Sequence, residues 1–114
     1  MTVIIWHNPR CSKSRQTLAL LESKGVTPQV RLYLQDPPSL EELQSAQQTL
    51  AIPAIGFMRT GEAAFKELGL TKDASDAALL GAMAGHPVLI ERPIVFHDGK
   101  AAIGRPPEAV LSIL

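Results

Sequence analysis

Val3-Ile4-Ile5-Trp6 is a continuous, β-rich apolar run cut off two residues later by Asn8-Pro9, and its sequel restricts the fold more than any other stretch. The run reads as a strand buried on both faces. Residues 13–24 then place Thr17, Leu18 and Leu21 at helical spacing, with Gly25 as a stop. Val30 to Leu34 reads as a second strand, closed by Asp36-Pro37-Pro38. Strand, helix and strand in so short a span favour parallel pairing through a right-handed crossover.

Ser39-Leu40-Glu41-Glu42 has the S-x-x-E spacing of a capping box, which predicts a helix with Leu40, Leu43 and Leu50 on one face. Short Gly-interrupted helical fragments are expected over 54–70, around Phe57, Phe65 and Leu68. Another helix is expected from about Ser75 to Gly85, with Leu79, Ala82 and Met83 inward and His86-Pro87 ending it. The last quarter changes character. Val88-Leu89-Ile90 and Ile94-Val95-Phe96 read as strands, and Asp98-Gly99 is a two-residue hairpin turn that sends Lys100–Gly104 back antiparallel. Pro106-Pro107-Glu108 opens a terminal helix carrying Val110, Leu111 and Leu114. The expected class is α/β: a mixed sheet flanked by helices in thioredoxin-like, glutaredoxin-type order. A helical insertion of about 39–86 separates the β-α-β and β-β-α halves, and 1–114 is read as a single domain.

Composition narrows the function. The chain has 114 residues, 46% hydrophobic and 19% charged, enough for one core and unlike a disordered sequence. Eleven basic and eleven acidic side chains cancel, so no global field draws it to nucleic acid or to a membrane. Any anion site must be local. MTVIIWHN lacks the basic start and long apolar run of a signal peptide, and no stretch approaches the ~18 apolar residues of a membrane span. A single cysteine cannot form an internal disulfide, so a reducing, cytoplasmic setting is expected. Nothing resembles a heptad repeat or a metal-ligand cluster; a monomer without bound cofactor or metal is expected.

That one cysteine, Cys11, lies in HNPRCSKSR, where the first strand hands over to the first helix. Amides of Ser12, Lys13 and Ser14 at the helix start would face the sulfur or an oxyanion beside it. Helix N-termini and nearby cations favour a thiolate, and His7, Arg10, Lys13 and Arg15 are all close in sequence. Free cysteines are often simply buried. Polar neighbours and a proline two residues before make core burial the poorer expectation here, and a nucleophile the better one. His7 reads either as a hydrogen-bonded structural histidine or as a group that steadies charge or passes a proton. Ser14 completes C-x-x-S; its hydroxyl can cap the first turn or hydrogen-bond a thiolate, but cannot resolve a disulfide. An oxidised Cys11 would need an outside thiol.

Arg59, Arg92 and Arg105 each sit beside a breaker or loop signal, the last two directly before Pro93 and Pro106. A residue before proline is held extended, which would fix where both project. Guanidinium groups bind tetrahedral oxyanions through forked hydrogen bonds. Taken singly, each is more often a solvated surface charge.

The blocks HNPRCSKSR, LYLQDPPS, FMRTGE, HPVLIERPIV and IGRPPEAVLSIL, in this order and spacing, resemble the ArsC family over about residues 4–114. These are the glutaredoxin-coupled arsenate reductases and their relatives, including the short YfgD-like branch. The resemblance implies a thioredoxin-like fold with a helical insert. It places the nucleophile on Cys11 and catalytic arginines on Arg59, Arg92 and Arg105. His7, Ser14 and Arg15 fall on thiolate-supporting positions, and Ser12 and Lys13 on the oxyanion loop. Pro93 falls on a proline that is cis in this fold, against a base rate of ~5–6% for X-Pro bonds. The implied chemistry is reduction of arsenate, or of a similar tetrahedral oxyanion, through a covalent Cys11–arsenate adduct. Glutathione acts as co-substrate and glutaredoxin as the protein partner.

Two rivals share the fold. A monothiol glutaredoxin-like thiol transferase has the same Cys-x-x-Ser spacing, but here ERPIV stands where a T-V-P glutathione segment belongs and no Gly-Gly follows. A non-enzymatic Spx-like regulator often carries C-x-x-C as its switch, which Ser14 removes. Phosphatase-like arsenate reductases need C-x5-R and further cysteines, and the chain has neither.

Overall fold

The computed structural model describes residues 2–114. Their internal packing groups into two compact units, one running from the start of the described residues to Asp36 together with Arg92–Leu114, the other Pro37–Glu91.

The first unit is built on a four-stranded sheet in the order β2-β1-β3-β4, with β1 Val3–Trp6, β2 Gln29–Arg31, β3 Ile94–His97 and β4 Lys100–Ile103. β1 pairs parallel with β2 across the helix α1, Ser12–Ser23, as the strand-helix-strand order predicts. β3 and β4 form the expected hairpin; Asp98 and Gly99 both take positive φ (51° and 72°), the left-handed pair a two-residue turn requires. Alternation decides what each face does. Val3 and Ile5 point to a cluster with Leu21 of α1, Val95, Val110 and Ile113, flanked by Leu18, Val26 and Ala102. On the other face Trp6 meets Phe96 with ring centroids 4.9 Å apart, and the Arg31 guanidinium lies 5.7 Å over the indole.

Three elements differ from expectation. β2 stops at Arg31, because Gln35 and Asp36 both turn their N–H groups back onto the Leu32 carbonyl. Val30, within β2, and Leu34, beyond it, are both exposed. Residues 88–90 form no strand; Pro87–Leu89 is a 3-10 turn, and only Ile90 bridges to Met58. The C-terminal segment Pro107–Ile113 is 3-10 rather than α-helical. Its buried residues, Pro107, Val110 and Ile113, recur every third position, which suits three residues per turn. Leu114 is exposed.

The second unit is helical: α2 Leu40–Leu50, a 3-10 turn Ala54–Phe57, α3 Ala63–Glu67 and α4 Asp76–Gly85. The capping box is present in full, with Glu42 N–H donating to Ser39 Oγ and Ser39 N–H to the Glu42 carboxylate. Leu43 and Ala46 supply the buried face of α2, while Leu40 is exposed. Asp76 ties three elements together, accepting from Gln47 Nε2 at 2.8 Å and from the Ala54 amide at 3.2 Å. Leu79, Leu80 and Met83 of α4 are buried. Among the described residues no helix is long and apolar enough to cross a membrane.

Candidate active site

The site begins with a turn. Cys11 N–H donates to the Asn8 carbonyl at 3.0 Å and Arg10 N–H to Asn8 Oδ1 at 3.0 Å, so Asn8-Pro9-Arg10-Cys11 folds as a β-turn with proline in its favoured second place. Cys11 becomes the N-cap of α1, its backbone extended (φ −94°, ψ 123°), and no side chain caps the helix. The first-turn amides of any helix lack intrahelical acceptors, which makes this end suited to an anion.

Cys11 is buried, with 8% of its surface exposed, contrary to the sequence expectation. Burial and polar surroundings coexist at this sulfur. Cys11 is not one of the apolar cluster under the sheet; its sulfur lies against the Arg105 guanidinium, with Nη2 to Sγ 3.5 Å. Arg105 is itself steadied by a bond from Nε to the Arg92 carbonyl at 2.8 Å. The hairpin explains why these two arginines meet. Its ladder runs from the turn to Ile94↔Ile103, and Gly104 N–H to Pro93 O at 2.9 Å carries it one step further. Arg92 and Arg105 follow directly on this last cross-strand bond, where the Arg105 Nε bond to the Arg92 carbonyl joins them. Both arginine–proline bonds, Arg92–Pro93 and Arg105–Pro106, are cis.

Ser14 is wholly buried and neither caps the helix nor bonds the sulfur. Its hydroxyl accepts from the Asn8 amide at 3.0 Å and shares a 2.6 Å hydrogen bond with His7 Nδ1. The sequence missed this commitment, because the Asn8–Cys11 turn is what folds His7 and Asn8 back onto the helix. Burial of His7, and then the positive field of Arg15, hold its pKa below the ordinary 6.5, so the imidazole is neutral at neutral pH. Arg15 Nη1 donates to the Pro9 carbonyl at 2.9 Å and so braces the turn. Ser12 and Lys13 are exposed beside Cys11.

Arg59 belongs to the second unit. Its amide donates to the Leu89 carbonyl at 2.7 Å, and its guanidinium pairs with the Glu62 carboxylate. Among the described residues no three His, Cys, Asp or Glu side chains gather as a metal would need.

A profile of the ArsC family matches residues 6–113. The chain belongs to the ArsC family. It is 54% identical to a Haemophilus influenzae protein named arsenate reductase, covering all of both chains. It is 50% identical to YfgD of Escherichia coli, over 98% of this chain and 96% of that one. The solved structure of an arsenate reductase from Vibrio cholerae matches with a TM-score of 0.96 and 55% identity, covering 100% of this chain and 98% of the other. The sheet flanked by helices is thus the thioredoxin-like fold of that family, as the element order implied.

Proposed function

We propose that this chain reduces arsenate to arsenite with Cys11 as nucleophile. The carrying observation is the Arg105 guanidinium on the Cys11 sulfur at an uncapped helix start. An arsenate oxygen entering there takes up first-turn amides and forked arginine donors, while the sulfur attacks arsenic. One arsenic–sulfur bond forms and one arsenic–oxygen bond breaks, with hydroxide or water leaving. Arg92, Arg105 and, by family resemblance, Arg59 stabilise charge on the remaining oxygens. His7, neutral at working pH, suits proton acceptance better than charge stabilisation.

Glutathione then attacks the adduct and glutaredoxin removes the glutathione. Across these steps two electrons pass from thiols to arsenic, which departs as arsenite. Cys11 has no second cysteine to resolve it, which suits turnover by outside thiols. The chain is proposed to act as a monomer, with glutathione as co-substrate and no resident cofactor.

The test is arsenite formation from arsenate with glutathione and glutaredoxin. Wild-type protein is expected to turn over, and Cys11→Ser to fall to the rate without protein. Turnover retained in Cys11→Ser, or lacking in the wild type, overturns the reading.

A further inference from the structure

We infer that Gly104 is a positioning residue, whose missing side chain sets the distance between the Arg105 guanidinium and the Cys11 sulfur. Gly104 is buried at the end of β4, one residue before Arg105. A Cβ built there would stand 2.5 Å from Thr17 Oγ1, 2.7 Å from Pro93 Cγ and 3.1 Å from Thr17 Cγ2. Its backbone is not left-handed, unlike Gly25, Gly69 and Gly99, so space and not φ makes the demand.

Neither obstacle yields easily. Thr17 is wholly buried in α1, and its hydroxyl donates to the Lys13 carbonyl at 2.8 Å. A β-branched residue in a helix has few χ1 alternatives. Pro93 is held across the ladder by the bond from Gly104 N–H to its carbonyl. A side chain at 104 therefore pushes the strand outward. Arg105 follows, because its amide is tied back to the Ile103 carbonyl at 2.9 Å. Thr17 and Cys11 share one helix, so this contact clamps the sulfur's element to the guanidinium's element. The 3.5 Å reach from Nη2 to Sγ leaves little slack, and a shift of about 1 Å is enough to spoil such a constellation.

The readout is charge at the sulfur. Iodoacetate and iodoacetamide alkylate through the same carbon, but only the first is anionic. Their rate ratio on Cys11, the chain's only thiol, largely cancels access and ionisation of the sulfur and retains the local field. Arg105→Ala is expected to lower the ratio about fivefold, the effect of one unit charge across about 4 Å of water. Gly104→Ala is expected to lower it to a similar level, and Gly104→Ala with Arg105→Ala no further than Arg105→Ala. A wild-type ratio in Gly104→Ala, or a double variant that falls by the product of the singles, overturns the inference. Should Gly104→Ala fail to fold, the Thr17→Ala background decides. There the added Cβ loses both Thr17 contacts but still meets Pro93 Cγ at 2.7 Å, so a ratio below the Thr17→Ala level supports the inference and one equal to it overturns it. The inference rests on the reductase reading only for what Arg105 does to an oxyanion. No arsenate enters this measurement, so the two fail separately.

Discussion

Arg105 and Cys11 stand 94 positions apart in the chain, yet a guanidinium nitrogen of one hydrogen-bonds the sulfur of the other. Every donor aimed at a reacting oxyanion stabilises the charge that develops on it. Removing one such donor commonly costs about 10²–10³-fold in turnover. Arg105→Ala is therefore expected to lower kcat/KM for arsenate by that order in the glutaredoxin-coupled assay. Arg105→Lys should recover only a minor part, since an ammonium cannot fork between the Arg92 carbonyl and the sulfur.

Ser14→Ala should destabilise the protein more than it alters any surface. It strips His7 Nδ1 and the Asn8 amide of their shared partner inside a buried site. Leaving one buried polar group unpaired costs about 1–3 kcal/mol. Urea unfolding should show a loss in that range, and Ser14→Cys should not restore it, because a thiol is a weak acceptor.

His7 gives the protein an acid-sensitive range. Burial and Arg15 lower its folded pKa below the unfolded value of 6.5, so the unfolded chain binds the proton more readily. The associated stability is complete above pH 6.5 and is lost as pH falls from there through the lowered folded value. Thermal melts between pH 8 and 5 should show a decline beginning near 6.5 that shrinks in His7→Gln. An undiminished decline in His7→Gln would assign it to carboxylates instead.

The capping box of α2 offers a change far from sulfur chemistry in sequence. Ser39→Ala removes a bond to the Glu42 amide and should cost about 1 kcal/mol. Denaturant unfolding measures the loss, while the iodoacetate to iodoacetamide ratio on Cys11 should stay at its wild-type value.

Patterns local to a few residues were legible in the sequence. The first strand, the α2 cap and the Asp98-Gly99 turn all appear where the residues placed them. The juxtaposition of Arg92 and Arg105 was not legible from spacing and was expected only from the family resemblance. The ladder itself ends at Ile94↔Ile103, and it is the bond from Arg105 Nε to the Arg92 carbonyl that joins the two arginines. Elements whose state depends on surroundings were not legible. Val88-Leu89-Ile90 has strand composition but meets only one bridging residue, so it coils after Pro87. The C-terminal segment has helical spacing for several registers, and packing against α1 and β4 selected the three-residue one.

The amino-acid sequence alone determined the order of the elements, the hairpin register and the placing of a lone thiol at a helix start. Backbone propensities and turn geometry act over a few neighbours and need no tertiary context. Tertiary structure alone decided that Cys11 is buried yet faces a cation, that Ser14 serves His7 and Asn8, and that Gly104 must stay bare against Thr17. Those outcomes depend on distances between segments far apart in the chain, and such distances are fixed only when the sheet and α1 pack together.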